Sequence, residues 1–202
     1  DGEAGEYAMG LLDDYGMVGL YFWEAGARCF YTTSKPIRSV EDLKGMKIRV
    51  QQTEVAISMV RALGAEATPM DYAEVFQGLQ TGIVDGAEND FVSYYTSGHY
   101  EVAKYYSLDQ HMAPPAVLLM SKASWDKMTE AQQEAVRKAA YEAAVWQRQA
   151  MQDYQLESRA ACEAAGCEII EVDVPSFQAA VASVYDEYPQ YKTIVDMINA
   201  VE

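Results

Sequence analysis

The chain is 202 residues long and half apolar, with 15 Lys and Arg against 31 Asp and Glu and a formal charge of −16. Apolar content at that level, with charged residues held to 23%, is enough to bury a core and excludes an intrinsically disordered chain. The acidic balance, without a Lys/Arg cluster to offset it, speaks against nucleic acid as a partner, and apolar runs such as 116–120 fall far short of the roughly 18 residues that a membrane-spanning helix needs.

No Met, basic segment or apolar leader opens the sequence, so any targeting segment is expected to be absent from it. A short helix is expected first. Residues 19–23 and 29–33, rich in aromatic and β-branched side chains around a turn at Gly26, then read as two strands or one bent strand. Ser39 with Asp42 three residues on is a capping-box pattern for a short helical turn that Gly45 ends. Residues 46–51 alternate as a strand, with Lys47, Arg49 and Gln51 on one face and Met46, Ile48 and Val50 on the other. The spacing of Val55, Ile57, Met59, Val60 and Leu63 predicts a helix over 53–63, ended by Gly64 and followed by a strand near 65–68. A second helix runs from an Asp71 cap to Leu79, and Gly82 and Gly86 bracket a strand over 83–87. This β-α-β-α-β order predicts an α/β fold, and its last strand runs into Glu88 and Asn89, at the carboxyl end where open α/β sheets bind ligands.

Beyond a tyrosine-rich stretch at 94–106, residues 117–121 read as a buried strand. Thr129 with Gln132 is a second capping-box match, and no Gly or Pro follows until Gly166. About 36 helical residues would make a rod of roughly 50 Å, longer than one small domain is wide, so the helix serves two lobes or forms a coiled coil. Ala139, Ala140, Ala143, Ala144, Trp146 and Ala150 hold no clean heptad, which favours the bridging helix. A strand at 169–172 and one or two helices over 175–199 complete the chain.

Chemistry-bearing constellations are sparse. Cys162 and Cys167 flank Gly166, which puts a local disulfide within reach without requiring one, and Cys29 reads as a small apolar residue in a strand. His99 and His111 have no third ligand at metal spacing and no nucleophile in context, and no phosphate loop or nucleophile elbow is present. Arg49 stands out between Ile48 and Val50 on a strand with a buried face, where a guanidinium needs a partner. An internal ion pair with Glu88 and a bidentate clamp on a ligand carboxylate both fit, and they can hold together.

A wider set of residues bears on that choice: 26–31 (Gly-Ala-Arg-Cys-Phe-Tyr), Pro36-Ile37, 42–50 (Asp-Leu-Lys-Gly-Met-Lys-Ile-Arg-Val), Gly64-Ala65, Thr68-Pro69-Met70, Glu74-Val75, Leu79-Gln80 and 84–89 (Val-Asp-Gly-Ala-Glu-Asn). In this order they resemble the DctP-type substrate-binding proteins of tripartite ATP-independent periplasmic (TRAP) transporters, along essentially the whole chain. The resemblance implies an α/β, periplasmic-binding-protein-like two-lobed fold with a long bridging helix. It also implies a non-enzymatic extracytoplasmic receptor that needs no cofactor or metal and hands a small organic acid to membrane permease subunits. Arg49, in the Lys-x-Arg-Val motif, would form a two-pronged salt bridge with the ligand carboxylate. Asn89 would contact ligand polar groups with Glu88 beside it as orienting partner, Arg28 would be a second cationic contact, Tyr72 would line the pocket and His111 would belong to a supporting network. The stretches around Trp23 and His99 look most like members that bind uronic acids such as glucuronate or galacturonate; an α-keto acid, a dicarboxylate or sialic acid would use the same clamp.

Nothing in the sequence corresponds to the family's N-terminal portion. The expectation is therefore an incomplete first lobe: 1–25 as its remnant, 26–112 as lobe 2, 113–153 as lobe 1 strand and bridging helix, and 154–202 as the return into lobe 2. Apolar surface left uncovered would favour self-association. The competing readings are an enzyme fragment using Cys29 or His111, and a coiled-coil interaction module built on the long helix.

Overall fold

A computed structural model describes residues 2–201. Helix α1 (Glu3–Gly10) and a 3-10 turn lead into strand β1 (Met17–Trp23), and Gly26 turns the chain into β2 (Arg28–Thr32). There follow β3 (Lys47–Val50), α2 (Glu54–Ala62), β4 (Glu66–Pro69), α3 (Val75–Thr81), β5 (Gly86–Asn89), α4 (Phe91–Thr96), α5 (His99–Val102) and β6 (Tyr105–Met112). The remainder is β7 (Ala116–Ser121), α6 (Lys122–Trp125), the long α7 (Glu130–Ala164), β8 (Glu168–Ile170), α8 (Val174–Ala180), α9 (Val184–Glu187) and α10 (Lys192–Asn199). None of the described helices is long and apolar enough to cross a membrane.

These elements fall into two units, one of Asp1–Ala25, Pro114–Asp153 and Tyr188–Glu202, the other of Gly26–Ala113 and Tyr154–Glu187. The 35-residue α7 belongs to both. Thr129 and Gln132 form the expected capping box at its start: Thr129 N donates to Gln132 Oε1 (2.9 Å) and Gln132 N donates to Thr129 Oγ1 (3.3 Å). At its end Gly166 takes the left-handed conformation (φ 84°), and Cys167 N donates back to Cys162 O.

The second unit is built on a six-stranded sheet in the order β4-β3-β5-β2-β6-β8. β3 is parallel to β4 and β5, β2 is antiparallel to β5 and β6, and β6 is parallel to β8. Successive β2 residues enter opposite cores, so the sheet is covered on both faces. Phe30 packs with Ile48, Val50, Met59, Val60 and Phe177, whereas Tyr31 packs with Val75, Leu79, Tyr94, Tyr106 and Cys162. The helix expected over 53–63 is α2, whose Thr53 cap accepts from Ala56 N. Gly86 allows β5 to lie against β2, since a Cβ there would stand 2.6 Å from Tyr31 O.

In the first unit β1 and β7 form an antiparallel ribbon with a register shift between Gly19 and Tyr21. α7 is tied to β1 by Arg148 Nη2, which donates to Phe22 O (3.1 Å), and by Gln147, whose amide exchanges two hydrogen bonds with the Glu24 backbone.

Several expectations are corrected. The strand expected at 83–87 starts at Gly86, because Ile83 N and Val84 N both donate to Gly78 O and close α3 instead. The helix expected from Asp71 opens with a 3-10 turn at Tyr72–Glu74, the Asp71 carboxylate accepting from Gln52 Nε2 (2.8 Å) rather than capping. The helical region expected over 175–199 is divided into α8, α9, a 3-10 turn and α10. Residues 188–202 group with the first unit, where α10 packs with α1. Cys162 and Cys167 are buried free thiols, as is Cys29. The expected chain ends at Asp1 and Glu202 lie outside the described residues.

Candidate functional site

Because β2 is antiparallel to β5, with Cys29 opposite Asn89, the first residue of β2 lies at the same end of the sheet as the last residues of β5 and β3. Arg28, Arg49, Glu88 and Asn89 therefore all occupy one end of the second unit's sheet, and each is buried.

Arg28 and Glu88 form the centre of a polar network. Arg28 Nε donates to Glu88 Oε2 (2.5 Å), Nη2 donates to Glu88 Oε1 (2.9 Å) and to the Glu88 carbonyl (3.0 Å), and Nη1 donates to Asn89 Oδ1 (2.8 Å). Asn89 Oδ1 also accepts from Asp90 N (3.0 Å), so the Asn89 side chain has only its NH2 donors left to offer. On the far side of Glu88, His111 Nε2 lies 3.6 Å from Oε2, and His111 Nδ1 is 2.5 Å from Asp109 Oδ2. Burial opposes the charge on Arg28, Glu88 and His111. For His111 the adjacent Asp109 and Glu88 carboxylates outweigh it and raise the pKa to about 9. For Glu88 burial raises the pKa, but the nearby His111 imidazole and the bonds from Arg28 outweigh it and the net shift is downward. For Arg28 burial lowers the pKa, and pairing with Glu88 more than restores it. The four groups Asp109, His111, Glu88 and Arg28 thus alternate in sign and sum to zero. Asp90 is held separately by Ser93 N (3.1 Å), Ser93 Oγ (2.6 Å) and Gln155 Nε2 (3.1 Å).

Arg49 sits apart from that balance. Its Nε and Nη2 donate to the Met70 carbonyl at 3.0 and 2.8 Å, and it has no ion pair among the described residues. The internal pair with Glu88, one of the two readings of Arg49, is not formed: Glu88 is taken by Arg28, which shares the Phe30 face of the sheet. Arg49, between Ile48 and Val50, lies on the opposite face. Burial lowers the Arg49 pKa, while Glu88 at longer range partly sustains it. The guanidinium keeps Nη1 and part of Nη2 for another acceptor. Its carbon lies 5.8 Å from the centre of the half-exposed Tyr72 ring, a cation–π contact. Tyr72 meets His99 edge-on at 5.6 Å, and His99 Nδ1 lies 2.8 Å from Tyr31 Oη. Burial, reinforced by Arg49, lowers the His99 pKa to about 4, so this imidazole is neutral at ordinary pH.

The structure thus joins four of the six expected site residues, Arg28, Glu88, Asn89 and His111, in one network and places Arg49 and Tyr72 together beside it. The sequence reading missed Asp109, His99 and the Met70 carbonyl. Asp109 and His111 are brought together by the irregular stretch 108–111 of β6, which the sequence did not mark as a strand. No group of three or more His, Cys, Asp or Glu that could hold a metal ion occurs among the described residues. Burial, with Asp109 adding to it, raises the Cys29 thiol to about 12, which suits a packed side chain rather than a nucleophile.

The sheet of the second unit thus carries at one end a buried ion network and, beside it, Arg49 without an ion pair among the described residues. Residues 1–191 match the family model of bacterial extracellular solute-binding proteins, family 7, and the chain belongs to that family. It is 41% identical over 98% of its length to a solute-binding protein of Chromohalobacter salexigens, of which it spans 61%. It is similar throughout its length to a TRAP periplasmic solute-binding protein of Xanthobacter autotrophicus solved with bound β-D-galacturonate (46% identity, TM-score 0.95, 68% of that chain covered). A Pseudomonas putida TRAP periplasmic solute-binding protein solved with bound D-glucuronate is similar to the same degree (41% identity, TM-score 0.95, 67% of that chain covered).

Proposed function

We propose that the protein is an extracytoplasmic receptor for a uronic acid such as glucuronate or galacturonate. Arg49 holds the carboxylate of the sugar acid, and the receptor delivers its ligand to the membrane permease of a TRAP transporter without altering it chemically. The observation that carries this reading is Arg49 itself: a buried guanidinium, oriented by a carbonyl rather than neutralised by a carboxylate, at the carboxyl end of a parallel strand. A planar carboxylate is the bidentate partner that such a group lacks. The Asn89 NH2 and the edge of Arg28 supply donors for ligand oxygens, and Tyr72 supplies an apolar wall. The uronates bound by the Xanthobacter and Pseudomonas proteins support the choice of sugar acid.

Calorimetric titration of the full-length protein tests it. D-glucuronate or D-galacturonate is expected to bind more tightly than pyruvate, succinate or sialic acid. Arg49→Ala is expected to weaken binding by about thirtyfold or more, since losing one side of a buried charged pair costs about 2–5 kcal/mol. Unchanged affinity in Arg49→Ala refutes the clamp. Self-association of the chain through the exposed Leu11, Tyr15 and Leu119 of the first unit is part of the same reading, and a monomer at all concentrations in sedimentation would refute it.

A further inference from the structure

β2 and β6 are paired with a gap in their ladder: Arg28 faces Met112 and Phe30 faces Ser107, so residues 108–111 of β6 bulge between two neighbours. Gln110, within the bulge, is the one non-glycine with positive φ among the described residues (47°), a conformation that costs free energy unless the surroundings impose it. The bulge delivers two side chains inward. Asp109, fully buried, accepts from Phe30 N through Oδ1 (2.9 Å), filling the break in the ladder, and holds His111 Nδ1 through Oδ2. The His111 ring stacks on Phe30 with centroids 4.2 Å apart and turns Nε2 to Glu88. That nitrogen is buried without a hydrogen-bond partner among the described residues, 3.6 Å from Glu88 Oε2. The groups facing the imidazole are therefore Asp109 from β6, Glu88 from β5 and the Phe30 ring from β2, with Arg28 beyond Glu88.

We propose that Asp109 and His111 are positioning residues of the acid-binding site: Asp109 keeps the His111 imidazole protonated, and the imidazolium holds the Glu88 carboxylate in line with Arg28, so that Arg28 and Asn89 meet the ligand in one arrangement. The inference rests on the function proposed above. Glu88 alone faces two cations, Arg28 and His111, and it is Asp109 that makes the second of them tolerable in a buried site. When His111 loses its proton, the carboxylate loses one of its two tethers. Ligand affinity then depends on a proton that lies outside the ligand's reach.

The test compares the full-length wild type with Asp109→Asn, Asp109→Glu and His111→Gln. His111 is titrated by NMR without ligand, and D-glucuronate affinity is measured by calorimetry from about pH 6 to 9.5. Wild-type His111 is expected to titrate near 9. In Asp109→Asn the midpoint is expected to fall by at least about one unit, with affinity weakening about tenfold across the range where that proton is lost. Asp109→Glu, which keeps the carboxylate, is expected to restore the wild-type profile. His111→Gln is expected to bind more weakly at every pH with no midpoint. An unmoved midpoint in Asp109→Asn, or a moved midpoint with affinity that stays parallel to wild type, overturns the proposal. Failure of the wild type to bind any uronic acid overturns the functional reading instead, together with the ligand half of this inference, while the ligand-free NMR titration still decides whether Asp109 sets the charge of His111.

Discussion

Replacing Glu88 by Gln keeps the size of the side chain and removes its charge. Glu88 is 2% exposed, accepts two side-chain bonds from Arg28 at 2.5 and 2.9 Å, and faces His111 Nε2 at 3.6 Å. Glutamine offers one oxygen where the carboxylate offers two, so one Arg28 donor is left without an acceptor, and the amide NH2 is turned toward a cation. Bonds to charged groups contribute about 1.5–3 kcal/mol each, and breaking a buried pair by removing one partner costs about 3–5 kcal/mol. His111 relieves part of that cost by shedding its Nε2 proton, keeping Nδ1–H on Asp109 but giving up the charge that strengthens that bond. The expected destabilisation is about 3–5 kcal/mol near pH 6, and it shrinks toward pH 9.5, where the wild-type His111 has also lost its proton. Urea unfolding followed by circular dichroism measures the loss, and amide exchange of β2 and β5 locates it. The control is Glu168→Gln. Its partner, Arg38, is 2.6 Å away, but the side chains are 58% and 47% exposed, so the change should cost no more than about 1 kcal/mol. A Glu88→Gln protein no less stable than Glu168→Gln refutes the reasoning.

Stability is expected to peak near neutral pH, because the two histidines pull in opposite directions. The His111 pKa, raised from 6.5 to about 9, gives a contribution of roughly 3 kcal/mol that is complete below 6.5 and lost as pH rises through 9. The His99 pKa, lowered to about 4, gives a loss as pH falls from 6.5 toward 4, and urea midpoints that fall on both sides of neutrality would bear out both shifts. Gly86→Ala is expected to cost at least about 2 kcal/mol, because the added Cβ would meet the Tyr31 carbonyl at 2.6 Å and β2 cannot retreat; a thermal midpoint within about one degree of wild type would contradict that. Thr129→Ala removes the hydroxyl that accepts from Gln132 N and should cost about 1 kcal/mol, read as fraying of the first turn of α7 by amide exchange.

The elements legible in the sequence are those whose local chemistry and tertiary role agree. The alternation of residues 46–51, the period of 53–63 and the unbroken run from Thr129 to Gly166 became β3, α2 and α7. β3 buries Ile48 and Val50, and α2 buries Met59 and Val60. α7 is marked by its capping box and by the absence of Gly and Pro rather than by an apolar face, since Trp146 and Leu156 are exposed. β6 was illegible for the opposite reason. Its order Leu108, Asp109, Gln110, His111 breaks period two because the strand bulges there, and its buried polar side chains bond to neighbours no local pattern displays. β5 was shifted by the Gly78 carbonyl, which claims two amides that β-propensity assigned to a strand.

The same distinction explains why the site's residue types could be read but not its pairing. Arg49 is visible as a charge within an expected strand, with Arg28 and Glu88 at the ends of two others, and the sequence offers Glu88 as one possible partner of Arg49, the arginine whose strand alternation is cleanest. The face of the sheet decides otherwise. β3 and β2 both flank β5, and Arg28 and Arg49 both reach its Glu88–Asn89 end. Arg28, however, alternates onto the face shared by Phe30 and Glu88, whereas Arg49, between Ile48 and Val50, alternates onto the opposite face. Arg28 takes the carboxylate with Nε and Nη2, whereas Arg49, on the other face, receives the Met70 carbonyl. Had Glu88 paired with Arg49, Arg28 would be the uncommitted cation and the residue to test. The observed pairing separates the two roles instead, with Arg28 keeping the sheet end rigid and Arg49 left able to take an external carboxylate. It follows that Arg28→Lys should disturb stability and binding together, because Lys cannot span Glu88 and Asn89 at once, whereas Arg49→Lys should weaken ligand affinity with little change in the urea midpoint. Equal losses of stability in both variants would mean that the two arginines share one structural task.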